Sequence, residues 1–253
     1  MDQQATSRPD SVTPHPPLED YYQDASLRRD WVDRMFDRTA RHYDWINSVM
    51  SFGSGVWYRR EALKRAGVKA GSIVLDVCTG TGLVARPAVT LVGQAGRVLG
   101  LDASVGMLTA AQRSLSIPFV QGYVECLPFS DNSVEFVTMG YALRHVADLR
   151  TTFEEYLRVL RPGGTVLVLE ATRPTSHWRF VFIRIYLRRI VPAIARLGGR
   201  DASTIMRYFW DTIEKCVTPQ TIVEALEDAG FADAKRRVVF DLFSEYTAVK
   251  PLG

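Results

Sequence analysis

A glycine-rich turn with an acidic residue before it is the first feature of the sequence that could do chemistry. Residues 74–82 read as a buried strand leading into a turn, and the strand carries Asp76. Residues 80–85 fit the dinucleotide-binding pattern G-x-G-x-x-G/A. Asp102 follows Gly82 by twenty residues, the spacing at which an acidic residue binds the ribose in such proteins. Asp76 argues against a pyrophosphate, because its carboxylate would repel the phosphates. The combination favours a cationic ligand.

S-adenosylmethionine has the charges that such a turn would accept. Its methionine part carries an ammonium and a sulfonium, its ribose diol needs an acceptor, and it has no phosphate. Asp102 would accept hydrogen bonds from the ribose hydroxyls, and Gly80 and Gly82 would let the backbone approach the ligand. In the simpler alternative, the glycines only close a tight turn and Asp102 caps the helix that begins at Ser104.

The elements that must position these residues alternate between short apolar strands and helices. Such alternation predicts an α/β fold with a Rossmann-like, doubly wound parallel sheet, whose ligands bind beyond the carboxyl ends of the strands. The predicted strands cover residues 72–77, 97–101, 119–121, 135–139 and 165–169, and the predicted helices cover 83–92, 104–114 and 149–160.

Segments outside this core complete the predicted organisation. Residues 1–25 are proline-rich and poor in large aliphatic side chains, which predicts a disordered tail. Residues 26–253 form a single domain, in which 26–70 are an N-terminal helical cap and 173–215 a helical insertion after the fifth strand. A helix over 218–229 and a final antiparallel hairpin over 238–249 close the chain.

Composition limits the classes of function. The chain has 253 residues, 47% of them apolar, and a net charge of +3, which is typical of a globular protein and does not indicate a nucleic-acid binder. Its three cysteines form no CxxC pair, which predicts a reducing, cytoplasmic environment. Its four histidines lack partners at metal-ligand spacing, so we expect no metal site.

The net charge is unevenly distributed. Residues 173–207 contain eight arginines and one acid, Asp201, and so carry +7, whereas the rest of the chain carries −4. Apolar residues lie between these arginines, as in segments that lie at a bilayer interface, so the segment predicts a peripheral membrane contact. The alternatives are a lid packed on the sheet and a dimer surface. Nucleic acid is disfavoured, because the arginines accompany aliphatic rather than stacking side chains.

The chain resembles the class I S-adenosylmethionine-dependent methyltransferases, and within them the ubiquinone/menaquinone biosynthesis C-methyltransferase family, over roughly residues 31–250. The resemblance rests on several short motifs in addition to the 76–82 turn. They are Phe36-Asp37, Tyr43-Asp44 with Asn47, Met50-Ser51-Phe52-Gly53, Glu125-Cys126-Leu127-Pro128-Phe129, Leu143-Arg144-His145-Val146 and Arg158-Val159-Leu160-Arg161-Pro162-Gly163-Gly164.

The resemblance implies a sheet of seven strands with the last one antiparallel. It also implies the residues that contact the cofactor, which are Tyr43, Thr81, Asp102, Tyr123, Val124 and Gly140. Met107 is a candidate wall for the adenine, or alternatively a core residue. The family has Asp or Asn followed by Ala at positions 123 and 124, so Tyr123 departs from its pattern: it cannot make the same hydrogen bond, although its ring could stack on the base.

Arg144 and His145 follow the fourth strand, where the substrate must meet the methyl group. C-methylation of a quinol needs a ring carbon that becomes nucleophilic when the neighbouring hydroxyl ionises. Arg144 could pair with the phenolate and His145 could accept its proton. Alternatively, Arg144 forms a surface ion pair with Asp148 and His145 lies in a solvent-facing loop. Tyr43 is a further candidate for the catalytic group, or else a core residue of the cap.

These features together predict an enzyme that uses S-adenosylmethionine to methylate a carbon of a lipophilic prenylated quinol, either a demethylmenaquinol-like or a ubiquinol-precursor-like molecule. Two alternatives stay open. The enzyme could methylate another lipophilic aromatic compound or natural product, or the chain could be a non-catalytic cofactor-binding scaffold in a quinone-synthesis assembly.

Overall fold

A computed structural model describes residues 11–22, 27–50, 55–186, 189 and 200–253. Its centre is a seven-stranded sheet with the order β3-β2-β1-β4-β5-β7-β6, in which β7 runs antiparallel to the other six strands. The predicted α/β class and the antiparallel last strand are therefore confirmed. The strands are β1 (Ile73–Val77), β2 (Arg97–Asp102), β3 (Phe119–Gln121), β4 (Val134–Gly140), β5 (Leu160–Ala171), β6 (Ala232–Val239) and β7 (Phe243–Val249).

Helices cover both faces of the sheet, as the doubly wound arrangement requires. The helices are α1 (Arg28–Met50), α2 (Gly55–Arg65), α3 (Ala85–Val92), α4 (Val105–Gln112), α5 (Leu149–Val159), α6 (His177–Ile185), α7 (Arg200–Lys215) and α8 (Pro219–Asp228), and a short 3-10 turn spans Leu143–His145. Asp148 and Thr218 begin α5 and α8 as N-caps, each accepting a hydrogen bond from a backbone N–H of the first turn.

The central strands are buried because helices cover both of their faces. Val74, Leu75 and Val77 of β1 have no exposed surface, and neither have Val166 and Val168 of β5. Such continuous apolar runs are typical of parallel strands covered on both faces. The carboxyl ends of these strands are thus held in fixed relative positions, which is the property that a binding site at this edge requires.

The N-terminal segment differs from the disordered tail predicted for residues 1–25. Within residues 11–22, Leu18 is 1% exposed and Tyr22 is 4% exposed, and both lie in an apolar cluster with α1 and α7. The backbone N–H of Val12 donates to Asp148, and the carbonyl of Pro14 accepts from Val217. A few anchors therefore order a segment whose composition is otherwise polar; residues 1–10 and 23–25 lie outside the described part of the chain.

The predicted insertion over 173–215 contains α6 and α7, while residues 187, 188 and 190–199 lie outside the described part. On α7, Ile205, Tyr208 and Trp210 are buried, whereas α6 exposes much of its apolar surface. In the part of the chain that the structure describes, no helix combines the length and the apolar character needed to cross a bilayer.

Candidate active site

A cavity of about 500 Å³, here called the central cavity, lies at the carboxyl ends of β1, β2 and β4. Four of the twelve predicted site residues, Asp76, Thr81, Gly82 and Arg144, do not line it. The other eight do, and they are Tyr43, Gly80, Asp102, Met107, Tyr123, Val124, Gly140 and His145. Residues from the cap and from three strand ends thus meet at one place, as the topology predicts.

Asp102 is held as a hydrogen-bond acceptor at the end of β2. One carboxylate oxygen accepts from the backbone N–H of Gly80 at 2.7 Å, and the other accepts from the N–H of Ser104 at 2.9 Å. Each carboxylate oxygen can accept a further bond, so the group can still take two hydroxyls of a ribose. The alternative role of helix cap belongs to Ser104 instead, whose side chain accepts from the N–H of Met107.

The three predicted glycines serve different purposes. Gly80 has a φ of +56°, and a Cβ added there would meet no atom within 4 Å, so its backbone faces open space in the cavity. A Cβ at Gly82 would lie 2.4 Å from Leu115, and one at Gly140 would lie 2.6 Å from Val84. Gly80 therefore fits the predicted backbone approach to a ligand, whereas Gly82 is favoured by its own backbone, because its φ of +84° is one that other residues rarely adopt. Gly140 lines the cavity and is also tightly packed.

Asp76 and Thr81 were predicted to contact the cofactor, but neither lines the central cavity. Asp76 lines a separate small cavity of about 30 Å³, here called the small cavity, and accepts hydrogen bonds from Thr79 and Thr138 at 2.6 and 2.7 Å. The Thr81 hydroxyl donates to Asp44 of α1, so it ties the cap to the glycine turn. Thr81 therefore supports the turn from outside the cavity.

The walls of the central cavity near Asp102 are apolar or aromatic. Met107 is 2% exposed and Val124 is 4% exposed, and both line the cavity as well as contributing to the core. The Tyr123 hydroxyl donates to Asp33 of α1 at 2.8 Å, and the Arg29 guanidinium lies 4.5 Å from its ring centroid. Tyr123 thus links the cap to the loop after β3 and presents a ring, rather than a short polar group, to this part of the cavity.

Arg144 forms a buried ion pair that the sequence does not indicate. Its Nε lies 3.0 Å from a carboxylate oxygen of Glu170 on β5, and the two side chains are 3% and 0% exposed. The guanidinium also donates to the Thr212 hydroxyl at 3.2 Å and to the carbonyl oxygens of Phe209 and Tyr141. A guanidinium engaged in this way is not free to pair with a substrate phenolate.

This placement corrects both interpretations of Arg144. The alternative partner, Asp148, instead accepts hydrogen bonds from Ser11, Val12 and Thr151. Arg144 therefore positions the chain around the site by joining β5, α7 and the loop after β4. Its guanidinium is held by these partners, so Arg144 supports the structure of the site; its side chain also lines a second cavity, described below.

His145 lines the central cavity and is enclosed by aromatic rings. Its ring stacks on Tyr208 at 5.4 Å and contacts Phe36 and Phe209 at 5.3 and 5.9 Å. Burial, together with the cationic side chains of Arg144 and Arg28, holds the pKa of His145 well below its usual value. Its Nε2 is buried and has no hydrogen-bond partner among the described residues. His145 is therefore a neutral imidazole with an unused nitrogen, which does not match the solvent-facing alternative.

Tyr43 stands between the central cavity and a second one of about 340 Å³, here called the apolar cavity. Burial raises the pKa of the Tyr43 hydroxyl to about 12, so the phenol stays protonated at neutral pH. Tyr43 and Tyr141 line both cavities. Most of the other lining residues of the apolar cavity are aromatic or aliphatic, among them Tyr58, Trp178, Phe182, Ile183, Tyr186, Phe209, Ile213 and Phe243.

Several residues near the site were missed by the sequence analysis. His15 lies in the segment predicted to be disordered, lines the central cavity and is 2% exposed. Burial lowers its pKa to about 4, and Arg28 lies 3.2 Å from its Nε2. Glu170 and Arg59 were also missed. None of these residues belongs to a local motif, because their contacts join positions that are far apart in the chain.

The two buried carboxyl groups predict how cofactor affinity depends on pH. Burial raises the pKa of Asp76 and of Asp102 to about 6, so each loses its charge as the pH falls through 6. If binding requires an ionised carboxylate, we expect the association constant for S-adenosylhomocysteine to fall about tenfold per required carboxylate between pH 7 and pH 5. Calorimetric titration over this range measures the effect, with unfolding curves at pH 5 as the control for folding. An affinity that stays constant would contradict the assignment of both groups.

Comparison with known proteins identifies a matching family and several similar methyltransferases. The sequence profile of the ubiE/COQ5 methyltransferase family matches residues 23–244. The ubiquinone/menaquinone biosynthesis C-methyltransferase UbiE of Hahella chejuensis is 34% identical over 211 residues, which cover 81% of this chain and 84% of that protein. The demethylmenaquinone methyltransferase of Oceanobacillus iheyensis is 35% identical over 214 residues, covering 81% and 89%.

Solved structures support the fold. A methyltransferase from Aquifex aeolicus that depends on S-adenosylmethionine aligns with a TM-score of 0.58 at 20% sequence identity. The alignment covers 76% of this chain and 89% of that one. The Rossmann-like architecture is therefore shared with a solved methyltransferase.

Proposed function

This chain belongs to the ubiE/COQ5 methyltransferase family, and from that premise we propose that it transfers the methyl group of S-adenosylmethionine to a ring carbon of a lipophilic prenylated quinol. One observation carries the proposal beyond the family name. A cavity with a carboxylate suited to a ribose lies directly beside an apolar cavity, and Tyr43 and Tyr141 line both. A polar cofactor and an apolar substrate can therefore meet at this boundary.

The residues of the central cavity fit S-adenosylmethionine. Asp102 offers two fixed acceptor oxygens, Gly80 leaves open space next to the backbone, and Met107 and Val124 form apolar walls. Bound in this cavity, S-adenosylmethionine supplies an electrophilic methyl group. The chain's own contribution is to orient the two reactants and to exclude water, which can account for much of the acceleration of such a transfer.

His145 is the proposed proton acceptor. Its imidazole is neutral, and its Nε2 has no partner among the described residues. The quinol hydroxyl donates its proton to this nitrogen as the neighbouring ring carbon takes the methyl group, because the lowered pKa of His145 disfavours a separate imidazolium–phenolate pair. The methylated carbon then loses its own hydrogen as a proton and the oxygen takes one back from His145, which restores the aromatic quinol. Tyr43, whose phenol stays protonated, is placed to donate a hydrogen bond at the same boundary.

Replacing His145 with phenylalanine tests this role. The ring keeps its packing against Phe36 and Tyr208, but the proton acceptor is lost, so we expect kcat for methyl transfer to fall by about 100-fold or more. Affinity for S-adenosylhomocysteine should stay within about twofold of that of the wild type, because the imidazole is proposed to contact the quinol hydroxyl and not the cofactor. The matched control is His177→Phe, at an exposed position on α6. A kcat close to that of the wild type would contradict the assignment.

The apolar cavity is the proposed site for the prenyl tail, and α6 provides its outer wall. Trp178, Val181, Phe182 and Ile185 are exposed and lie on one face of α6, and Trp178 and Phe182 also line the cavity. Exposed arginines, Arg179 and Arg184, flank this face. We propose that α6 binds the surface of an anionic bilayer, from which the tail enters the cavity.

Vesicle binding tests the membrane contact. The double variant Trp178→Ser/Phe182→Ser should reduce co-sedimentation with phosphatidylglycerol vesicles by about tenfold or more, because burial of each aromatic side chain stabilises the bound state by about 1.5–3 kcal/mol. Leu252→Ser removes another exposed apolar side chain and serves as the control. Equal binding of the wild type to phosphatidylglycerol and to neutral phosphatidylcholine vesicles would contradict the electrostatic part of the proposal. A dimeric state combined with no vesicle binding would instead favour a dimer surface.

Methyl transfer separates the proposed function from its two alternatives. The protein is incubated with methyl-labelled S-adenosylmethionine and a reduced lipid extract, and the labelled product is identified by mass spectrometry. Label in a demethylated prenyl quinol supports the proposal, and label in another aromatic compound supports the first alternative. Cofactor binding without transfer to any compound supports the non-catalytic scaffold.

A further inference from the structure

Residues 11–22, here called the N-terminal strap, form one wall of the central cavity. Four of its residues line that cavity, Thr13, His15, Pro17 and Tyr22. The other walls belong to strand ends of the sheet, to α1 and to the loops after β3 and β4. The family profile begins to match at residue 23, so the strap precedes the part of the chain that identifies the family. The family match therefore says nothing about what this wall does.

Asp148 holds the beginning of the strap and caps α5 with different oxygen atoms. Its Oδ2 accepts from the Ser11 hydroxyl at 2.9 Å and from the Val12 N–H at 2.5 Å. Its Oδ1 accepts from the N–H and the hydroxyl of Thr151 in the first turn of α5. The Val12 carbonyl in turn accepts from the Leu149 N–H at 2.9 Å. One oxygen of Asp148 therefore serves the strap, and the other serves the helix.

Two further hydrogen bonds hold the middle of the strap. The Pro14 carbonyl accepts from the Val217 N–H at 2.8 Å, just before α8. Nε2 of His15 accepts from the Arg28 guanidinium at 3.2 Å. Among residues 11–17, two are buried, Pro14 and His15. The first half of the strap is thus held to the protein by a small number of hydrogen bonds and few buried side chains.

The second half of the strap, residues 18–22, is anchored differently. Leu18 and Tyr22 are buried in the apolar cluster with α1 and α7. The Tyr21 hydroxyl donates to Asp211 of α7 at 2.5 Å. Segments open locally where few apolar contacts hold them. Residues 11–17 can therefore lift from the cavity while residues 18–22 stay in place.

We infer that residues 11–17 are a lid on the central cavity, which opens to admit S-adenosylmethionine and to release S-adenosylhomocysteine and closes during methyl transfer. The inference rests on the proposed function only in placing the cofactor in this cavity. Closing an active site expels water from the reacting groups, whereas exchange of the cofactor after each turnover requires a wall that moves. The first half of the strap is a wall whose contacts can be broken and remade without disturbing the core.

The variant Asp148→Asn loosens the lid and keeps the cap of α5. Asparagine caps helices as well as aspartate does, and its amide oxygen can still accept from Thr151. The amide nitrogen that replaces Oδ2 cannot accept from Ser11 or Val12. Loss of these hydrogen bonds to a charged group should raise the population of the open lid by about 10- to 100-fold.

Stopped-flow measurements with S-adenosylhomocysteine detect this change. We expect the association and dissociation rate constants of Asp148→Asn both to rise by about tenfold or more, since exchange occurs through the open lid. Kd should change by less than about threefold, because the population of the open lid enters both rate constants. A faster association is the result that a purely structural role of the strap does not produce.

The matched control is Glu154→Gln, which removes one carboxylate charge from the same helix. Glu154 pairs with Arg150 on the surface, so this variant should change neither rate constant. Faster dissociation of Asp148→Asn with unchanged association would overturn the inference, because the strap would then be a fixed wall that contacts the cofactor. Faster exchange in Tyr123→Phe, which loses its bond to Asp33, but not in Asp148→Asn would also overturn it. The entrance would then lie between α1 and the loop after β3.

Hydrogen exchange in the wild-type protein provides a second test that needs no variant. The N–H groups of Leu149 and Val217 donate to carbonyls of the strap, so their exchange reports its opening. Saturation with S-adenosylhomocysteine should slow both by about tenfold or more, because the ligand stabilises the closed lid. The N–H of Thr151, which donates to Asp148 Oδ1, is the internal control and should exchange at the same rate in both states. Equal exchange of Leu149 and Val217 with and without the ligand would refute the lid.

These measurements use no quinol, so they are independent of the proposed methyl transfer. A protein whose cofactor exchange changes as expected, but that methylates no quinol, would leave the inference intact and refute the proposed function. A protein that methylates a quinol, while Asp148→Asn exchanges its cofactor at the rate of the wild type, would refute the inference alone.

Discussion

Replacing Glu170 with alanine is expected to lower the free energy of unfolding by about 3–5 kcal/mol, the usual effect of leaving one member of a buried ion pair alone. Glu170 has no exposed surface, and its partner Arg144 also holds the Thr212 hydroxyl and the carbonyl of Phe209. Removing the carboxylate leaves a guanidinium buried between β5 and α7 with no opposite charge. Urea-induced unfolding of the two proteins measures the difference.

An exposed ion pair provides the control for this prediction. Arg150 and Glu154 lie one helical turn apart at 2.9 Å, and Glu154→Ala should lower stability by only about 0.3–0.5 kcal/mol. The double variant Arg144→Met/Glu170→Leu replaces both charges with apolar groups, so it should recover most of the lost stability. If Glu170→Ala and Glu154→Ala had the same effect, the buried ion pair would not be the structural support described above.

Replacing Asp102 with alanine is expected to reduce affinity for S-adenosylhomocysteine by about 10- to 100-fold, because hydrogen bonds to a charged group contribute about 1.5–3 kcal/mol. The variant loses the acceptor for the ribose and also releases the N–H groups of Gly80 and Ser104 that the carboxylate holds. Both effects act in the same direction on cofactor binding. Isothermal titration calorimetry provides the measurement.

Two further variants show whether the loss is specific. Asp131 is exposed and lines none of the described cavities, so Asp131→Ala should leave affinity unchanged. Asp102→Asn keeps the shape of the side chain, but its amide cannot accept both backbone N–H bonds, so affinity should lie between those of the wild type and Asp102→Ala. An Asp102→Ala protein that is folded and binds as tightly as the wild type would remove Asp102 from the site.

Local patterns were sufficient to predict the five parallel strands β1 to β5 and to bring Gly80 and Asp102 to one cavity, whereas β6 begins at Ala232, before the hairpin predicted over 238–249. Alternating apolar runs gave the strand positions, because parallel strands covered on both faces are apolar throughout. Gly80 and Asp102 could be predicted because a strand, a tight turn and the end of the next strand form a unit of fixed spacing.

The roles that could not be predicted depend on partners distant in the sequence. Asp148 lies four residues after Arg144 in the sequence, yet Arg144 pairs with Glu170. Only the register of β4 and β5 brings Glu170 close to Arg144. Tyr123 bonds to Asp33, 90 positions away. The ordering of residues 11–22 likewise depends on a few buried side chains such as Leu18. Amino-acid composition alone does not reveal that these side chains are buried.

Transfer of a labelled methyl group to a defined acceptor tests the central claim most directly. The wild-type protein is given S-adenosylmethionine with a deuterated methyl group and a reduced, demethylated prenyl quinol of either the naphthoquinol or the benzoquinol type. The product is then examined by mass spectrometry and NMR. We predict that the deuterated methyl group is attached to a ring carbon next to a hydroxyl-bearing carbon. A product labelled on oxygen, or no labelled quinol from a protein that binds the cofactor, would contradict the proposed function.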